Sequence, residues 1–302
     1  MKNRFNIAIA FFLVFSWGCD DIIEVELPVG APVLVVDAWL NDKPEDQFIL
    51  LTTTIPYFDN VLQPQVPGAV ITVKDSDGNT YDFTEQSDGK YRWSPSVLQP
   101  KLGNIGSDFE LSIDVNGQKY SASTFMGRVP EIDSLSFTFE EGNSFIDDYY
   151  YAEFWADDLV GEGDIYWIKT IKNGIPLNKP SEISLAYDAG FSEGGIVDGV
   201  TFIQPIRQSI NPFEEDKDGV FQSPYLTGDT VYVEIHSISV AAFQFLNEVK
   251  ITTDRPGGFG ELFAQPLSNV PTNISNNNLA IENDVVGFFN VASVSGLGKR
   301  FE

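Results

Sequence analysis

The sequence predicts an all-β protein, with an N-terminal immunoglobulin-like β-sandwich followed by a second β-rich domain that carries one short helix. Three observations lead to this class. Apolar residues make up 43% and aromatic residues 13% of the 302 residues, enough to build real cores. Short runs rich in β-branched and aromatic residues recur along the chain. Turn signals with Gly, Asn or Asp separate these runs, and helical spacing occurs only once.

The first residues predict an export signal. Lys2 and Arg4 precede an apolar run at 7–15, and Ser16-Trp17-Gly18 then leads to Cys19. The run is shorter than the roughly 20 apolar residues that span a bilayer, so a cleavable signal peptide at 1–18 fits it best. Cys19 is the only cysteine, and a lone cysteine just past an export segment is where bacteria attach diacylglycerol. We therefore expect Cys19 to be the lipid attachment residue that anchors the mature chain to a membrane.

Asp20 and Asp21 follow the lipidated cysteine directly and begin a tether at 19–28. Acidic residues in this place resemble the signal that sends lipoproteins of Bacteroidota to the outer face of the outer membrane. In enterobacteria, Asp at this position indicates retention at the inner membrane instead. We expect a lipid-anchored protein of the outer membrane, exposed at the cell surface, and the sequence leaves open which leaflet it faces.

The charge balance excludes one class of partner. The chain has 18 basic and 44 acidic residues, and removal of 1–18 takes away two basic residues, so the mature net charge is 16 − 44 = −28. Nucleic acid is excluded as a partner because phosphate binding needs a basic patch. Adhesion to anionic lipid headgroups is disfavoured for the same reason.

Residues 29–129 are predicted to form the sandwich. Apolar and polar residues alternate over 109–115, Asn116-Gly117 follows, and a second run begins at Lys119. Alternation at period two on both sides of Asn-Gly is the strongest short-range hairpin signal. Further strand-like runs in this region lie at 33–40, 48–55, 69–74 and 81–84.

Residues 130–302 are predicted to form the second domain, after a joint at Arg128-Val129-Pro130. Val240, Phe243 and Leu246 lie close to helical spacing and predict the one helix. The stretch 176–225 is rich in turn residues and shows no clear period. Strand-like runs lie at 135–139, 149–155, 165–171, 230–235 and 285–294.

A series of short motifs resembles a lipoprotein family of Bacteroidota known as domain of unknown function 4249. The motifs include Val35-Val36-Asp37-Ala38-Trp39, Asp158 with Gly161-Glu162-Gly163, Gly228-Asp229-Thr230-Val231, Pro271-Thr272-Asn273-Ile274 and Gly287-Phe288-Phe289. Each motif is short, but their order from Cys19 to nearly the C-terminus is specific. The resemblance implies an accessory role beside a SusC-like TonB-dependent transporter, in nutrient capture or transporter assembly. It carries over no catalytic residues.

The residue inventory argues against catalysis. His236 is the only histidine, so a Ser-His-Asp hydrolase would have to use it. One histidine and one lipidated cysteine leave only carboxylates as ligands for zinc. The acidic pairs Asp157/Asp158 and Glu140/Glu141 are interpreted as turn residues and solvated faces rather than as the carboxylates of a glycosidase. We expect no enzyme, no catalytic residues, no metal ligands and no cofactor.

Three segments have a functional alternative beside the structural one. Asp75–Asn79 and Glu214–Gly219 place oxygen ligands before a glycine, as calcium loops do, but neither has the full spacing. Tyr149-Tyr150-Tyr151 with Phe154-Trp155 could stack on sugars, although alternation in a strand favours core packing. The Gly-rich segment 255–260 is interpreted as an irregular loop.

We therefore predict a non-catalytic accessory or binding subunit of a TonB-dependent nutrient transporter. The alternative is a free-standing carbohydrate-binding lipoprotein of the cell surface. A glycan or a peptide is the expected class of ligand.

Overall fold

The computed structural model describes residues 30–56, 59–86, 89–143, 146–193, 197–217, 219–255, 257–264, 270–278 and 285–302. Residues 32–55 and 59–302 form one compact unit. Among the described residues, no helix combines the length and the apolar character needed to cross a membrane.

A nine-stranded sheet forms the first half of this unit. Its spatial order is β14-β7-β6-β3-β4-β5-β2-β1-β15, and every neighbouring pair is antiparallel except β1 and β15, which are parallel. The strands are β1 Leu34–Asn41, β2 Gln47–Thr53, β3 Val70–Asp75, β4 Thr80–Glu85, β5 Lys90–Trp93, β6 Asp108–Val115, β7 Gln118–Phe125, β14 Ser275–Asn276 and β15 Val285–Ala292.

The nine-stranded sheet curls until it is nearly closed. Asn273 lies between β7 and β15: its Nδ2 donates to the Phe289 carbonyl at 2.8 Å and the Ser123 carbonyl at 3.4 Å, and its Oδ1 accepts from the Phe289 amide at 3.0 Å. Thr124 Oγ1 also donates to Asn290 Oδ1 across the same gap. The inner face encloses the first core, which includes Val36, Ile49, Tyr91, Leu111 and Phe289.

The second half is built on a smaller sheet in the order β11-β10-β13-β16, with β12 also paired to β10, and on a separate hairpin of β8 and β9. Tyr166, Ile168, Val233 and Phe154 lie in its core. The strands are β8 Ser134–Glu140, β9 Tyr149–Trp155, β10 Ile165–Lys172, β11 Ile175–Pro176, β12 Ser184–Tyr187, β13 Thr230–Ser237 and β16 Val294–Arg300.

In the segments that the structure describes, two α-helices and two 3-10 turns accompany the sheets. Helix α1 spans Gln204–Arg207, helix α2 spans Val240–Thr253, and the 3-10 turns span Pro180–Glu182 and Gly258–Phe263. The Oγ of Ser239 caps α2 by accepting from the Ala242 amide. Helix α2 covers a third apolar cluster, in which Ala242 and Leu246 pack with Phe288 of β15 and Ile165 of β10.

The mostly β class is confirmed, and the predicted helix is α2. The Asn116-Gly117 turn is confirmed as well, because both residues have positive φ, 52° and 73°, between β6 and β7. An immunoglobulin-like sandwich is not confirmed, since one continuous and nearly closed sheet encloses the first core. The chain beyond residue 130 also returns to that sheet, where β15 pairs with β1.

Candidate functional site

An apolar pocket of about 650 Å³ opens where the two halves meet. We call it the junction pocket. Three large side chains on its wall remain half exposed: Ile105 at 52%, Phe125 at 50% and Val240 at 52%. They come from the loop before β6, from the end of β7 and from the start of α2. Apolar side chains left open in one place indicate a contact surface.

Arg128 and Asp164 form the polar wall of the junction pocket. The guanidinium Nε donates to both carboxylate oxygens of Asp164, at 3.0 and 2.9 Å, and Nη2 lies 2.6 Å from Oδ2. Nη2 also donates to the carbonyls of Val160 and Gly161. Because the side chain of Asp164 is only 13% exposed, this pair fixes the loop after β9 against the strand joint at Arg128.

Behind this wall, Asp158, Asp188 and Asp198 form a carboxylate cluster, with one oxygen of each within 4.8 Å of the others. Asp158 and Asp188 are buried. Asp158 accepts from Tyr166 Oη and the Gly199 amide, and Asp188 accepts from the amides of Gly163 and Asp164. These hydrogen bonds tie together three loops, which is a structural role.

The electrostatics of the cluster follow from its burial. Burial raises the pKa of Asp158 above its usual range, the nearby Asp188 carboxylate raises it further, and the hydrogen bond from Tyr166 works in the opposite direction. Carboxylate oxygens are the ligands that Ca²⁺ prefers. These three side chains are therefore the group within the described segments that could hold a divalent cation. The sequence argument missed it because its members come from three separate loops, and only the Gly-Glu-Gly turn at 161–163 marks one of them.

His236 is buried in β13, and its Nε2 lies 2.8 Å from Glu234 Oε2. Burial lowers the pKa of His236, and the hydrogen bond with Glu234 only partly offsets this, so the neutral ring donates to the carboxylate. Burial would raise the pKa of Glu234, but hydrogen bonds from His236 and Lys43 outweigh it and hold the pKa at about 2. The neutral histidine is thus hydrogen-bonded to a buried ion-pair network, in which Lys43 and Glu234 carry the charges.

The sequence argument against catalysis took the Gly-x-Ser-x-Gly elbow to be absent from the chain, and this was wrong. Residues 190–194 read Gly-Phe-Ser-Glu-Gly, which matches the Gly-x-Ser-x-Gly pattern of hydrolases. In the α/β-hydrolase fold, the serine of this motif lies on a sharp turn between a strand and a helix. Here Ser192 is exposed after the turn that closes β12, and α1 begins only at Gln204. His236 is buried and bound to Glu234, so the match lacks an available general base.

The two segments considered for calcium are turns in the structure. Asp75 accepts from the Asn79 amide, from Asn79 Nδ2 and from Tyr81 Oη, so its oxygens close the hairpin of β3 and β4. In the second segment, Asp216 Oδ1 accepts from the Val220 amide. Asp218 lies outside the described residues.

The aromatic run of β9 divides between core and surface. Phe154 is fully buried, and Tyr150 packs against the second core. On the opposite face Tyr149 contacts Phe221 at 5.3 Å between ring centroids, and Phe221 contacts Phe213, which is 65% exposed. Tyr149, Phe213 and Phe221 thus form an aromatic group on the surface, with Phe213 exposed and the other two rings half-buried.

The predicted lipid attachment residue Cys19 and the predicted export signal, Asp20 and Asp21, lie outside the described residues. In the comparison with protein families, residues 20–296 match the family described as domain of unknown function DUF4249. The match begins at Asp20, directly after Cys19. The chain belongs to the DUF4249 family. The matched span contains the junction pocket, the carboxylate cluster and every strand except β16, which begins at Val294 and ends beyond the match at Arg300. No curated protein matches the chain.

Proposed function

We propose that the mature chain is a surface-exposed outer-membrane lipoprotein of Bacteroidota, anchored through Cys19. It acts as a non-catalytic accessory or binding subunit of a SusC-like TonB-dependent nutrient transporter. The division into parts 29–129 and 130–302, with the first an immunoglobulin-like sandwich, stays part of this proposal. The buried ion-pair network around the only histidine supports the absence of catalysis.

The observation that carries the proposal is the junction pocket. Ile105, Phe125 and Val240 leave apolar surface open beside the polar groups of Arg128 and Ser239. An apolar patch with a polar rim suits a protein contact better than a glycan platform. A tether on a membrane surface also raises the effective concentration of a membrane partner, so a modest interface suffices.

The turn-rich stretch 176–225 is less suited to bind the partner, because part of it is core. Phe202, Ile206, Ile210 and Tyr225 are fully buried in the second core. Tyr225 Oη donates to the Ile210 carbonyl inside that core. The junction pocket is therefore the better place to look for the transporter.

Photocrosslinking in intact cells tests the proposal. A photoreactive residue at Phe125 or Val240 should crosslink to the transporter. The same residue at Leu98, which is 93% exposed in another loop, serves as the control. Phe125→Glu should reduce copurification with the transporter, because it places a charge in the contact. A protein that purifies alone, with equal crosslinking from all three positions, contradicts the proposal.

The second candidate function is glycan binding by a free-standing lipoprotein. The open aromatic group of Tyr149, Phe213 and Phe221 favours it, because exposed rings stack on sugar faces. Phe213→Ala should then weaken binding of surface polysaccharides to the purified protein. Phe191→Ala is the matched control, since Phe191 is 56% exposed in a different loop.

The anchor has its own test. Cys19→Ser should abolish incorporation of labelled palmitate, because a hydroxyl does not replace the thiolate as nucleophile. Equal labelling of variant and wild type contradicts lipidation at Cys19.

A further inference from the structure

A second pocket, of about 440 Å³, opens beside the C-terminal half of α2. Phe243, Asn247 and Lys250 line it at spacings of four and three residues, so they share one face of the helix. The rest of the described wall comes from the segments around β12 and α1. We call this space the α2 pocket. Its volume lies within the range of pockets that enclose small organic molecules.

Lys250 supplies the charge of the α2 pocket. The residue is half-buried, and its Nζ donates to the Ile183 carbonyl at 2.9 Å. Within the described residues, no carboxylate oxygen lies within 4.0 Å of this ammonium. An ammonium has three protons to donate, so two remain for other acceptors.

None of the described residues on this wall is acidic, although the chain has 44 acidic residues. Glu182 lies between two wall residues in the sequence, but Lys179 holds it: Oε2 accepts from the Lys179 amide at 2.7 Å, and Oε1 lies 3.8 Å from Lys179 Nζ. Glu248 follows Asn247 on α2 and is not part of the wall. A wall with one cation and no carboxylate attracts an anion, in a protein whose net charge of −26 repels anions elsewhere.

Neutral polar groups on the wall keep hydrogen-bonding capacity for a ligand. The hydroxyls of Ser184 and Ser209 lie 2.6 Å apart and use one of their two protons in that contact, so the other can be donated. Asn247 is half-buried, and its side chain forms no hydrogen bond with any described residue. Asn211, by contrast, is bound to the backbone amide and carbonyl of Ala152. The free groups suit the oxygen and amide atoms of an organic molecule.

Apolar side chains on the wall select the body of the ligand. Leu185 is buried, and Phe243 is half-buried with its ring held by an edge-on contact with Tyr187, 6.4 Å between ring centroids. An inorganic anion such as phosphate would leave this apolar surface uncovered, and its second negative charge would meet no second cation on the described wall. An organic molecule with a single carboxylate covers the apolar surface and also meets the ammonium.

We propose that the α2 pocket binds small organic acids with one carboxylate and an apolar body, such as an N-acylated amino acid. The carboxylate binds to Lys250, the apolar body packs on Leu185 and Phe243, and Asn247 forms a hydrogen bond with the polar group between them. The α2 pocket is separate from the junction pocket. The inference therefore goes beyond the proposed function and adds a class of ligand to a binding subunit.

Titration calorimetry on the purified mature protein, with no transporter present, tests the α2 pocket. The probe is N-acetylphenylalanine. Its amide lacks the charge, and acetate lacks the apolar body. The acid should bind at millimolar concentration or below, and the amide about ten- to hundredfold more weakly, the scale of one charged hydrogen bond. Absence of binding, equal binding of the amide, or equal binding of acetate overturns the proposal.

Protein variants locate the binding at this wall. Lys250→Met should weaken binding of the acid about ten- to hundredfold and remove the difference between acid and amide, and Lys250→Arg should retain most of the binding. Asn247→Ala should weaken acid and amide alike. The matched control is Lys119→Met on the first sheet, where 69% of the lysine side chain is exposed, and it should leave both affinities unchanged. Unchanged binding of the acid in Lys250→Met contradicts the proposal.

Two further comparisons separate the proposal from its competitors. If glucuronate binds more tightly than N-acetylphenylalanine and Lys250→Met loses it, the pocket takes acidic sugars and the apolar assignment is wrong. Lys250→Met also removes the donor to the Ile183 carbonyl, so its melting temperature is compared with that of wild type. The comparison of acid and amide on the wild-type protein needs no variant. Crosslinking at Phe125 is measured independently, so transporter association can fail while acid binding holds, or the reverse.

Discussion

A single glycine allows β1 and β15 to pair. Gly287 of β15 lies opposite Val36 of β1 and has φ 99°, a conformation that side chains rarely adopt. A Cβ at this position would overlap the Val36 carbonyl oxygen, which is backbone and cannot move aside. The Gly287-Phe288-Phe289 motif therefore reflects how closely the two strands approach.

Gly287→Ala should lower the free energy of unfolding by about 3 kcal/mol or more, because backbone strain and overlap add. Gly78→Ala is the control: it has φ 89°, but its Cβ would meet nothing within 4 Å, so only strain of about 1–2 kcal/mol remains. Urea unfolding of both variants measures the difference. Equal losses would mean that the overlap at Gly287 is relieved by strand movement.

The buried histidine predicts a pH dependence of stability. The pKa of His236 is lower in the folded protein than in the unfolded chain. Below about pH 6.5 the histidine is therefore protonated in the unfolded chain but still neutral in the folded protein, which favours unfolding. Glu234, with its pKa lowered to about 2, acts in the same direction below about pH 4.5. The free energy of unfolding should therefore fall from pH 7 to pH 5 and fall further below it.

His236→Gln should flatten the dependence between pH 7 and pH 5 and leave the loss below pH 4.5 in place. Denaturant unfolding at several pH values checks this. If the slope above pH 5 is the same in the variant and in wild type, His236 is not the group that titrates.

Some of the candidate sites leave a trace in the sequence and others do not. The Gly161-Glu162-Gly163 turn marks one of the three loops that form the carboxylate cluster. The junction pocket has no such signal, because Ile105, Phe125 and Val240 are ordinary apolar residues that meet only through tertiary packing.

At the scale of elements, local patterns were reliable. Alternation predicts β6 and β7, and Asn-Gly predicts their turn, because the positive φ of both turn residues is a local requirement. Strands that lack a local signal were missed. β5 has only four residues, and β12 lies inside the turn-rich stretch 176–225.

Gly117→Val should destabilise the β6–β7 hairpin and lower the free energy of unfolding by about 1–3 kcal/mol, since a β-branched residue is strained at φ 73°. Gly117→Asn should cost less, because Asn tolerates this conformation. Thermal unfolding of the two variants provides the comparison. An unchanged melting temperature for Gly117→Val would show that the turn rearranges without cost.

At the scale of the whole molecule, Asn273 closes the first sheet. Its side chain bonds to Ser123 of β7 and to both the amide and the carbonyl of Phe289 in β15. Removing it leaves these backbone groups without partners where the sheet is nearly closed. Asn273→Ala should therefore cost about 1–3 kcal/mol and speed hydrogen exchange of the β15 amides.

The matched control is Asn277→Ala. Among the described residues, the Asn277 side chain bonds only to the hydroxyl of Ser121 on the same strand β7, at an exposed place, so its loss should cost no more than about 0.5 kcal/mol. Comparable exchange rates in both variants would contradict the role of Asn273 in closure.

The overall arrangement could not be predicted from the sequence. The parallel partner of β1 follows some 250 residues later, where Leu34 pairs with Val285. The residues of these two segments carry no pattern that predicts their pairing. The predicted division near residue 129 rests on the order of motifs along the chain. The nine-stranded sheet, however, includes β14 and β15 from the C-terminal part of the chain.

This late pairing has a consequence for the order of events during biogenesis. Synthesis delivers the chain from its N-terminus, so β1 emerges long before β15 and has one unpaired edge in the meantime. Unpaired edges recruit other strands, and contacts between distant segments form slowly. We expect the emerging chain to depend on a chaperone that holds it until Val285–Ala292 has arrived, and truncations before residue 285 to aggregate rather than to fold.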